Sequence, residues 1–329
     1  MNADSAPLLE ITDLVKHFPI ERGLLKRVVG HVKAVDGVSY NVHPGETFGL
    51  VGESGCGKST TARLVLRLME PSSGTIRFDG EDISAGTHVD TKALRKKLQI
   101  VFQDPYASLN PRMTVRQIIA EPMAVQGIHK DEANARVDDL LVTCGLAREH
   151  GARYPHEFSG GQRQRVGVAR ALANKPKLIF LDEPVSALDV SIQAQIVNLL
   201  DDLQDQMGLT YVFIAHDLSV VSHISDRIAV MYLGKIMESG TKDEVFGAPA
   251  HPYTKALLSA VPLPDPRAER ARKLERIVLE GDIPSAADVP SGCRFRTRCW
   301  KATDLCANEE PALIDRGGGH PVACHFPEQ

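Results

Sequence analysis

The sequence predicts an α/β fold built on a mainly parallel β-sheet, with a helical insertion and a small cysteine-rich extension. Short apolar stretches alternate with segments of helical period, as where residues 46–51 are followed by residues 59–69. This alternation stops at residues 104–158, where only helical patterns occur, and then resumes. Repeated strand–helix units need crossover connections, so the strands are expected to lie parallel with helices on both faces of the sheet.

The predicted elements follow in chain order. Strands are expected at residues 9–15, 32–35, 46–51, 75–78, 98–102, 178–181, 210–215 and 227–232. Helices are expected at residues 59–69, 92–97, 115–126, 131–144, 161–173 and 190–207. The polar, glycine-bounded residues 21–30 are predicted to form a loop. Alternating prolines predict a stiff linker at residues 262–266, followed by a charged helix at residues 267–276.

These patterns divide the chain into three predicted parts. The core comprises residues 1–103 and 159–247, the helical subdomain is residues 104–158, and the C-terminal extension is residues 248–329. The composition is that of a globular protein, with 43% hydrophobic and 24% charged residues and a formal charge of −4. No apolar run approaches the ~20 residues that span a bilayer, and the first ten residues do not resemble a signal peptide. We therefore expect a cytoplasmic protein that reaches a membrane only through a partner.

A phosphate-binding loop is predicted between the third strand and the first helix. Residues 52–59 read Gly-Glu-Ser-Gly-Cys-Gly-Lys-Ser and fit the pattern G-x4-G-K-[ST] in the strand–helix context that the motif requires. The glycines allow backbone N–H groups to surround a phosphate at a helix N-terminus. Lys58 is expected to reach the β- and γ-phosphates of a nucleotide, and Ser59 is expected to hold Mg²⁺. Cys56 occupies a free position of the motif and is expected to be filler.

Two acids end a second buried strand. Asp182 and Glu183 follow the apolar residues 178–181, at the carboxyl end where a parallel sheet places its ligands. Asp182 is expected to help hold Mg²⁺, and Glu183 to polarise the water that attacks the γ-phosphate. Gln103 ends another predicted strand and could reach both the metal and that water.

A second glycine turn opens a second helix. Residues 158–162 read Phe-Ser-Gly-Gly-Gln, and the stretch between Phe158 and Leu181 carries five basic residues and no acid. This arrangement is a second candidate anion site. An N-capped amphipathic helix without a ligand is the alternative, since Ser159 suits an N-cap. A head-to-tail dimer would explain two phosphate-binding helix ends in one chain.

With these motifs in this order, residues 8–260 resemble the ABC ATPases, which are P-loop NTPases with a RecA-like parallel sheet and an antiparallel β subdomain. Residues 52–59 match Walker A, Gln103 matches the Q-loop, and residues 186–189 match the D-loop. Ser159 to Gln162 match the LSGGQ signature, with Phe158 in place of the usual leucine. Asp182 and Glu183 match Walker B and the catalytic base, and His216 matches the switch histidine.

The resemblance implies a set of site residues. Catalytic roles fall to Glu183, His216 and Gln103, and Mg²⁺ is expected on Ser59, Gln103 and Asp182. Phe18 is expected to stack on adenine, with Tyr40 as a nearby alternative. The implied nucleotide contacts are Phe18, Gly52, Glu53, Ser54, Gly55, Cys56, Gly57, Lys58, Ser59, Thr60, Gln103, Ser159, Gly160, Gly161, Gln162, Asp182 and Asp189.

Three further segments resemble the ATPases of dipeptide and oligopeptide importers. They are residues 102–114, 186–195 and 251–258, and the similarity is greatest to the DppF/OppF type of subunit. The resemblance implies a heterodimer with a sister ATPase, two permease subunits, and a binding protein that delivers peptide. Nickel importers share this architecture and remain an alternative. A soluble ABC protein of DNA repair or translation would carry paired cassettes or long coiled coils, and a P-loop kinase would not explain residues 159–162.

The extension holds four of the six cysteines, Cys293, Cys299, Cys306 and Cys324. Four thiolates can bind Zn²⁺ or a [4Fe–4S] cluster, and the spacing does not decide between them. The family resemblance implies the cluster; zinc and no metal are the alternatives. His320 and His325 could substitute as ligands, although solvated histidines are expected. Arg294, Arg296 and Arg298 are expected to form a solvated face or a docking contact to another subunit.

Overall fold

The computed structural model describes residues 6–23, 26–261, 276–315 and 318–328. Its strands are β1 (Leu9–Arg22), β2 (Arg27–Val42), β3 (Thr47–Val51), β4 (Ser73–Phe78), β5 (Glu81–Asp82), β6 (Leu98–Val101), β7 (Leu178–Asp182), β8 (Thr210–Ala215), β9 (Arg227–Tyr232), β10 (Lys235–Thr241), β11 (Ile314–Asp315) and β12 (Pro321–Val322). Its helices are α1 (Lys58–Val65), α2 (Thr91–Lys97), α3 (Pro105–Ser108), α4 (Val115–Val125), α5 (Lys130–Thr143), α6 (Gly160–Leu172), α7 (Val190–Met207), α8 (Leu218–Ile224), α9 (Lys242–Gly247) and α10 (Pro252–Ala260). Shorter pieces are the 3₁₀ turns Arg148–Ala152 and Pro155–Glu157 and the one-turn helix Asp304–Asn308.

The chain divides into two units, which are described separately. The P-loop unit comprises Ala6–Val42, Phe48–Thr87 and the described part of Ala215–Gln329. The signature unit comprises His43–Thr47 and His88–Ile214. The predicted linker at residues 262–266 lies outside the described residues, as does the predicted charged helix at 267–276 except for its last residue.

The signature unit contains parallel strands in the order β6-β7-β8. Every residue of β7 and β8 is buried, as expected for parallel strands that are covered on both faces. Val101 pairs with Leu181, and Asp182 pairs with Ile214. The carboxyl ends of β6 and β7 therefore meet at one edge, which brings Gln103 close to the two acids.

Residues 104–158 form only helical elements, namely α3, α4, α5 and the two 3₁₀ turns. Helix α4 begins at a capping box, in which the Thr114 hydroxyl accepts from the Gln117 N–H and the Gln117 side chain accepts from the Thr114 N–H. Its apolar face is buried at Val115, Ile118, Ile119 and Met123. This spacing of three and four residues is the period from which the helix was predicted.

The P-loop unit contains two sheets. One is antiparallel, in the order β2-β1-β4-β5. In the other, β3 and β9 are parallel, with Gly49 opposite Ile228, and β10, β12 and β11 extend it with antiparallel pairs. Parallel strands with an antiparallel β subdomain and a helical insertion confirm the predicted fold class.

The predicted loop at residues 21–30 is wrong, because the two flanking strands continue into it. Strand β1 runs to Arg22 and β2 starts at Arg27, with Phe18 opposite Val32 and Ile20 opposite Gly30. An exposed two-stranded ribbon is held by backbone hydrogen bonds. It has no buried face, so its sequence lacks the apolar alternation that would have revealed it.

The other differences lie at element ends and in the extension. Helix α1 ends at Val65, not at the predicted residue 69, and Arg67 adopts a left-handed φ of 52° just beyond it. Sequence patterns missed β10 and α10, and β12 joins the extension to β10 through the pair Glu238–Val322. Within the described part of the chain, no helix is both long and apolar enough to cross a bilayer.

Candidate functional site

The phosphate-binding loop of the P-loop unit depends on two glycines. Gly52 has a φ of 153°, and a Cβ there would lie 2.1 Å from the carbonyl oxygen of Met231. Gly57 has a φ of 114°, and its Cβ would lie 2.1 Å from the carbonyl oxygen of Ala34. No other residue fits between the loop and this backbone, so β2 and β9 fix the loop from behind.

Lys58 begins helix α1 and is 4% exposed. Its ammonium donates to the carbonyl oxygens of Gly52 at 2.7 Å and Glu53 at 3.0 Å. The charge is therefore held against the loop at the helix N-terminus, where an anion is favoured. Ser54 and Gly55 are exposed, whereas Ser59 and Thr60 are half-buried in the first turn of α1.

Cys56 is 4% exposed, and burial raises the pKa of its thiol. Its carbonyl oxygen accepts the N–H of Gly234 at 2.8 Å. The residue thus contributes backbone to the loop and presents a neutral thiol to the interior.

In the signature unit, Asp182 is the last residue of β7 and Glu183 follows it. Asp182 is 3% exposed and Glu183 is 9% exposed. Gln103 donates from Nε2 to Glu183 Oε2 at 2.9 Å, which confirms that these residues meet at one edge of the strands. Glu183 has a left-handed φ of 47°, and its N–H donates to the carbonyl oxygen of Ile214 at 2.9 Å. A non-glycine residue in this conformation costs about 1 kcal/mol or more, so the β8 backbone holds Glu183 in a strained position.

The second glycine turn is an N-cap with a capping box. The Ser159 hydroxyl accepts from the N–H of Gln162 at 3.3 Å, and the Gln162 side chain accepts from the N–H of Ser159 at 3.1 Å. The N-terminal turn of α6 packs closely against α7. A Cβ added to Gly161 would lie only 2.5 Å from Ile192 Cγ2. The glycine is therefore required by close packing of the two helices.

Asp189 caps α7 in the same unit. Its carboxylate accepts from the Ile192 N–H at 3.0 Å and from the Ser191 hydroxyl at 2.7 Å, and these hydrogen bonds lower its pKa. Gln193 donates to the carbonyl oxygens of Val185 at 3.1 Å and Leu188 at 3.0 Å. The segment at residues 186–189 thus has a fixed conformation.

Two arginines of α6, Arg163 and Arg170, donate hydrogen bonds to backbone carbonyl oxygens of the same unit. Arg163 is 8% exposed and donates to the carbonyl oxygen of Pro155 at 2.7 Å. Its guanidinium lies 3.8 Å from the centre of the Tyr106 ring, and Arg170 donates to the carbonyl oxygen of Ser108 at 2.6 Å. These arginines attach α3, which follows Gln103, to the helix that begins at Ser159. Sequence reasoning had assigned their charge to anion binding.

The remaining predicted contacts lie in the P-loop unit. His216 is exposed directly after β8. Phe18 is half-buried on β1, with the Lys16 ammonium 5.2 Å from its ring centre. Tyr40 is 7% exposed and stacks on Phe48 at 4.8 Å, so this alternative partner for adenine belongs to the core.

The four cysteines of the extension line one small cavity of about 10 Å³, together with His251, Phe295 and His325. Burial raises the pKa of Cys293 to about 11 and also raises the pKa of Cys299 and of Cys324. Among the residues that the structure describes, no group of three or more histidine, cysteine or acidic side chains has the geometry of a metal site. His320 lies apart from this cavity, and its Nε2 contacts the buried Glu238 carboxylate at 2.7 Å.

The expectation for the arginines of the extension is wrong for two of the three. Arg294 is 3% exposed and pairs with Asp36, and Arg298 is 7% exposed and pairs with Glu53. Both partners lie in the same chain, so neither arginine forms a solvated face. Arg296 donates to Ser291 and is half-buried. Sequence reasoning also missed Tyr253, whose hydroxyl accepts the N–H of Glu53 at 3.0 Å.

Comparisons with known proteins agree with this arrangement. The family model described as "ABC transporter" matches residues 35–186, and that described as "Oligopeptide/dipeptide transporter, C-terminal region" matches residues 237–306. The chain is 54% identical over 326 residues to the oligopeptide transport ATP-binding protein AppF of Bacillus subtilis (strain 168), covering 98% of each chain. It is 51% identical over 321 residues to the oligopeptide transport ATP-binding protein OppF of Escherichia coli (strain K12), covering 96% of this chain and 95% of the relative.

Two solved structures are also similar. The ATP-binding cassette MJ0796, dimeric in a post-hydrolysis state with ADP and Pi, has a TM-score of 0.63 and 28% identity, covering 71% of this chain and 98% of that chain. The cbiO1 protein of Clostridium perfringens, part of the cbiONQ transporter complex, has a TM-score of 0.65 and 28% identity, covering 83% of this chain and 100% of that chain.

Proposed function

This chain belongs to the ABC transporter ATPases, among the oligopeptide transport ATP-binding subunits, and we propose that it hydrolyses MgATP to power peptide import. The observation that carries the proposal is the full-length similarity to such subunits, in a chain whose motif residues have the geometry described above. The Gln103–Glu183 hydrogen bond supports hydrolytic competence, because it holds a carboxylate and a metal-reaching amide together.

We propose the following roles for the site residues. The loop at residues 52–57 binds the phosphates through its N–H groups, and Lys58 neutralises the β- and γ-phosphates. Ser59, Gln103 and Asp182 would hold Mg²⁺, which would neutralise developing charge on the phosphates. Glu183 orients and polarises the attacking water, His216 contacts the γ-phosphate, and Phe18 stacks on adenine.

The remaining motif residues are proposed to act in a dimer. Each ATP would lie between the Lys58 loop of one subunit and the Ser159 turn of the other, with Asp189 close to the dimer boundary. The N–H groups at the N-terminus of α6 are aligned along the helix, and its first turn contains no acidic residue. Both features favour binding of a γ-phosphate. We propose that the second subunit is a sister ATPase of the same importer.

We propose that α3 carries motion to a permease. It follows Gln103 directly, is bonded to α6 through Arg170, and presents a Tyr106 side chain that is 63% exposed. Two permease subunits and a peptide-binding protein would complete the importer, with this chain peripheral on the cytoplasmic face of the membrane.

We propose that Cys293, Cys299, Cys306 and Cys324 hold a [4Fe–4S] cluster, with Zn²⁺ as the alternative. The support is that four thiols line a single cavity in a segment with little core of its own. Metal–thiolate bonds would supply folding energy, and the thiols would release their protons to solvent on binding. Absorbance at about 400 nm together with iron and zinc analysis decides between the two. Replacing Cys293 by serine should abolish the cluster signal, whereas replacing Cys144, which is outside the extension, by alanine should leave it unchanged.

Reconstitution in proteoliposomes tests the function. With the two permeases, the sister ATPase and the binding protein, ATP hydrolysis should rise when peptide is added and should be accompanied by peptide uptake. The Glu183→Gln chain should bind MgATP but support neither. Stimulation by nickel and not by peptide would contradict the proposed substrate class.

A further inference from the structure

Two described residues of the C-terminal extension, Arg298 and Tyr253, form hydrogen bonds with Glu53 of the phosphate-binding loop. Arg298 donates from its two terminal nitrogens to the two carboxylate oxygens of Glu53, at 2.6 and 3.0 Å. Tyr253 accepts the Glu53 N–H at 3.0 Å. Both the side chain and the backbone of this loop residue are therefore fixed from outside the motif.

These contacts rest on a rigid base. Tyr253, Tyr232 and Phe295 are fully buried, and their ring centres lie 4.8 to 5.5 Å apart. Arg298 is 7% exposed, and its guanidinium lies 5.9 Å from the centre of the Tyr232 ring. A bidentate arginine on an aromatic base loses little side-chain freedom when it binds a carboxylate.

The charge of Glu53 makes this pair important for nucleotide binding. A carboxylate within a loop that surrounds phosphates repels them, and the repulsion is strong because the Glu53 side chain is only 22% exposed. Arg298 neutralises this charge through its two hydrogen bonds to the carboxylate. Lys58 already donates to the Glu53 carbonyl oxygen, so a displaced Glu53 would also disturb the lysine.

We propose that Arg298 is a positioning residue for nucleotide binding, which neutralises Glu53 and fixes the phosphate-binding loop from the cysteine-containing extension. The inference rests on the proposed ATPase function and adds a residue outside its motifs. It also connects that loop to Cys299, the next residue along the chain, so the extension supports the nucleotide site directly.

The test is a charge-dependent binding series on the full-length chain. Affinities for MgATP, MgADP and AMP are measured by calorimetry for the unmodified chain and for Arg298→Met, Arg298→Lys, and Glu53→Gln combined with Arg298→Met. Arg296→Met is the matched control, since Arg296 lies two residues away and its guanidinium donates to Ser291, not to Glu53, in the described hydrogen bonds.

The expected pattern follows from the unpaired carboxylate. Arg298→Met should weaken MgATP binding by about ten-fold, MgADP binding less and AMP binding least, because the repulsion grows with ligand charge. Removing the carboxylate charge in the double variant should recover most of the MgATP affinity. Arg298→Lys should lie between the unmodified chain and Arg298→Met, and Arg296→Met should match the unmodified chain.

Two outcomes would overturn the proposal. One is an Arg298→Met chain that is folded by circular dichroism and binds MgATP normally. The other is an equal loss for all three ligands with no recovery in the double variant, which would show a structural role only. If Arg298→Met does not fold, the comparison of Arg298→Lys with Arg296→Met decides, and equal MgATP affinities contradict the proposal. Failure of the unmodified chain to bind MgATP would refute the proposed function instead.

Discussion

At the scale of single residues, several motif positions are explained by their immediate contacts. Gly161 must lack a side chain because Ile192 Cγ2 occupies the space of a Cβ. Glu183 is strained, but Ile214 and Gln103 hold its backbone and its carboxylate. The chemistry of these positions could be predicted from residue types. The packing partner Ile192 could not, because nothing in the local pattern indicates which side chain a second helix presents.

We expect Gly161→Ala to lower ATP hydrolysis by roughly ten- to a hundred-fold, since the added methyl must push the Ser159 turn away from α7. Overpacking should also cost about 1–3 kcal/mol of stability. MgATP binding to the single chain should persist, because the Lys58 loop is unchanged. Adding Ile192→Ala removes the clashing methyl and should restore much of the activity. Full activity of Gly161→Ala alone would contradict this account.

His251 gives a prediction about pH. It is 1% exposed, and burial lowers its pKa from the ordinary 6.5 to about 3, so the folded chain keeps it neutral. The unfolded chain binds a proton below pH 6.5 and the folded chain does not until about pH 3, so stability falls as the pH drops through this window. Between pH 7 and pH 5 the loss should be roughly 2 kcal/mol.

The matched variant is His251→Asn, whose side chain can still accept the Tyr253 N–H that His251 Nδ1 accepts at 3.0 Å. Urea unfolding at the two pH values should show a smaller pH dependence for this variant. An identical pH dependence in both chains would show that His251 is not the titrating group.

At the scale of elements, the most consequential contact is between α3 and α6. Regular elements with a buried apolar face, such as α4 and α7, were predictable because burial imposes their period. The exposed ribbon of β1 and β2 was not predictable, since hydrogen bonds between backbone groups impose no pattern on the side-chain sequence. The attachment of α3 was also unpredictable, because an arginine that donates to a carbonyl oxygen looks the same in sequence as one that binds phosphate.

We expect Arg170→Met to uncouple hydrolysis from transport. Loss of the bond to the Ser108 carbonyl oxygen removes one of the two arginine contacts between α3 and α6, and a coupling loss of about 1 kcal/mol would reduce peptide-stimulated hydrolysis roughly five-fold. Unstimulated hydrolysis should change little. Arg165→Met is the control, because Arg165 is also on α6 but donates to the Cys144 carbonyl oxygen. A similar loss of stimulation in both variants would argue against a specific role of α3.

At the scale of the whole molecule, the sequence indicated the fold class and the family. It did not indicate that the cysteine-containing extension supports the phosphate-binding loop. Arg294 and Arg298 stand beside cysteines in a loop-rich segment, where basic residues are usually solvated, yet both are buried against acids distant in sequence. Pairings across more than two hundred residues depend on the completed fold, and local patterns do not encode them.

The central claim is that nucleotide is held between two such subunits, one presenting Lys58 and the other Ser159. Light scattering on the Glu183→Gln chain mixed with its sister subunit tests it directly, with MgATP or MgADP present. We expect a two-subunit particle in MgATP that separates in MgADP, and its loss when Ser159→Arg is added. A chain that binds MgATP but retains the mass of one subunit, with and without its sister, would contradict the account.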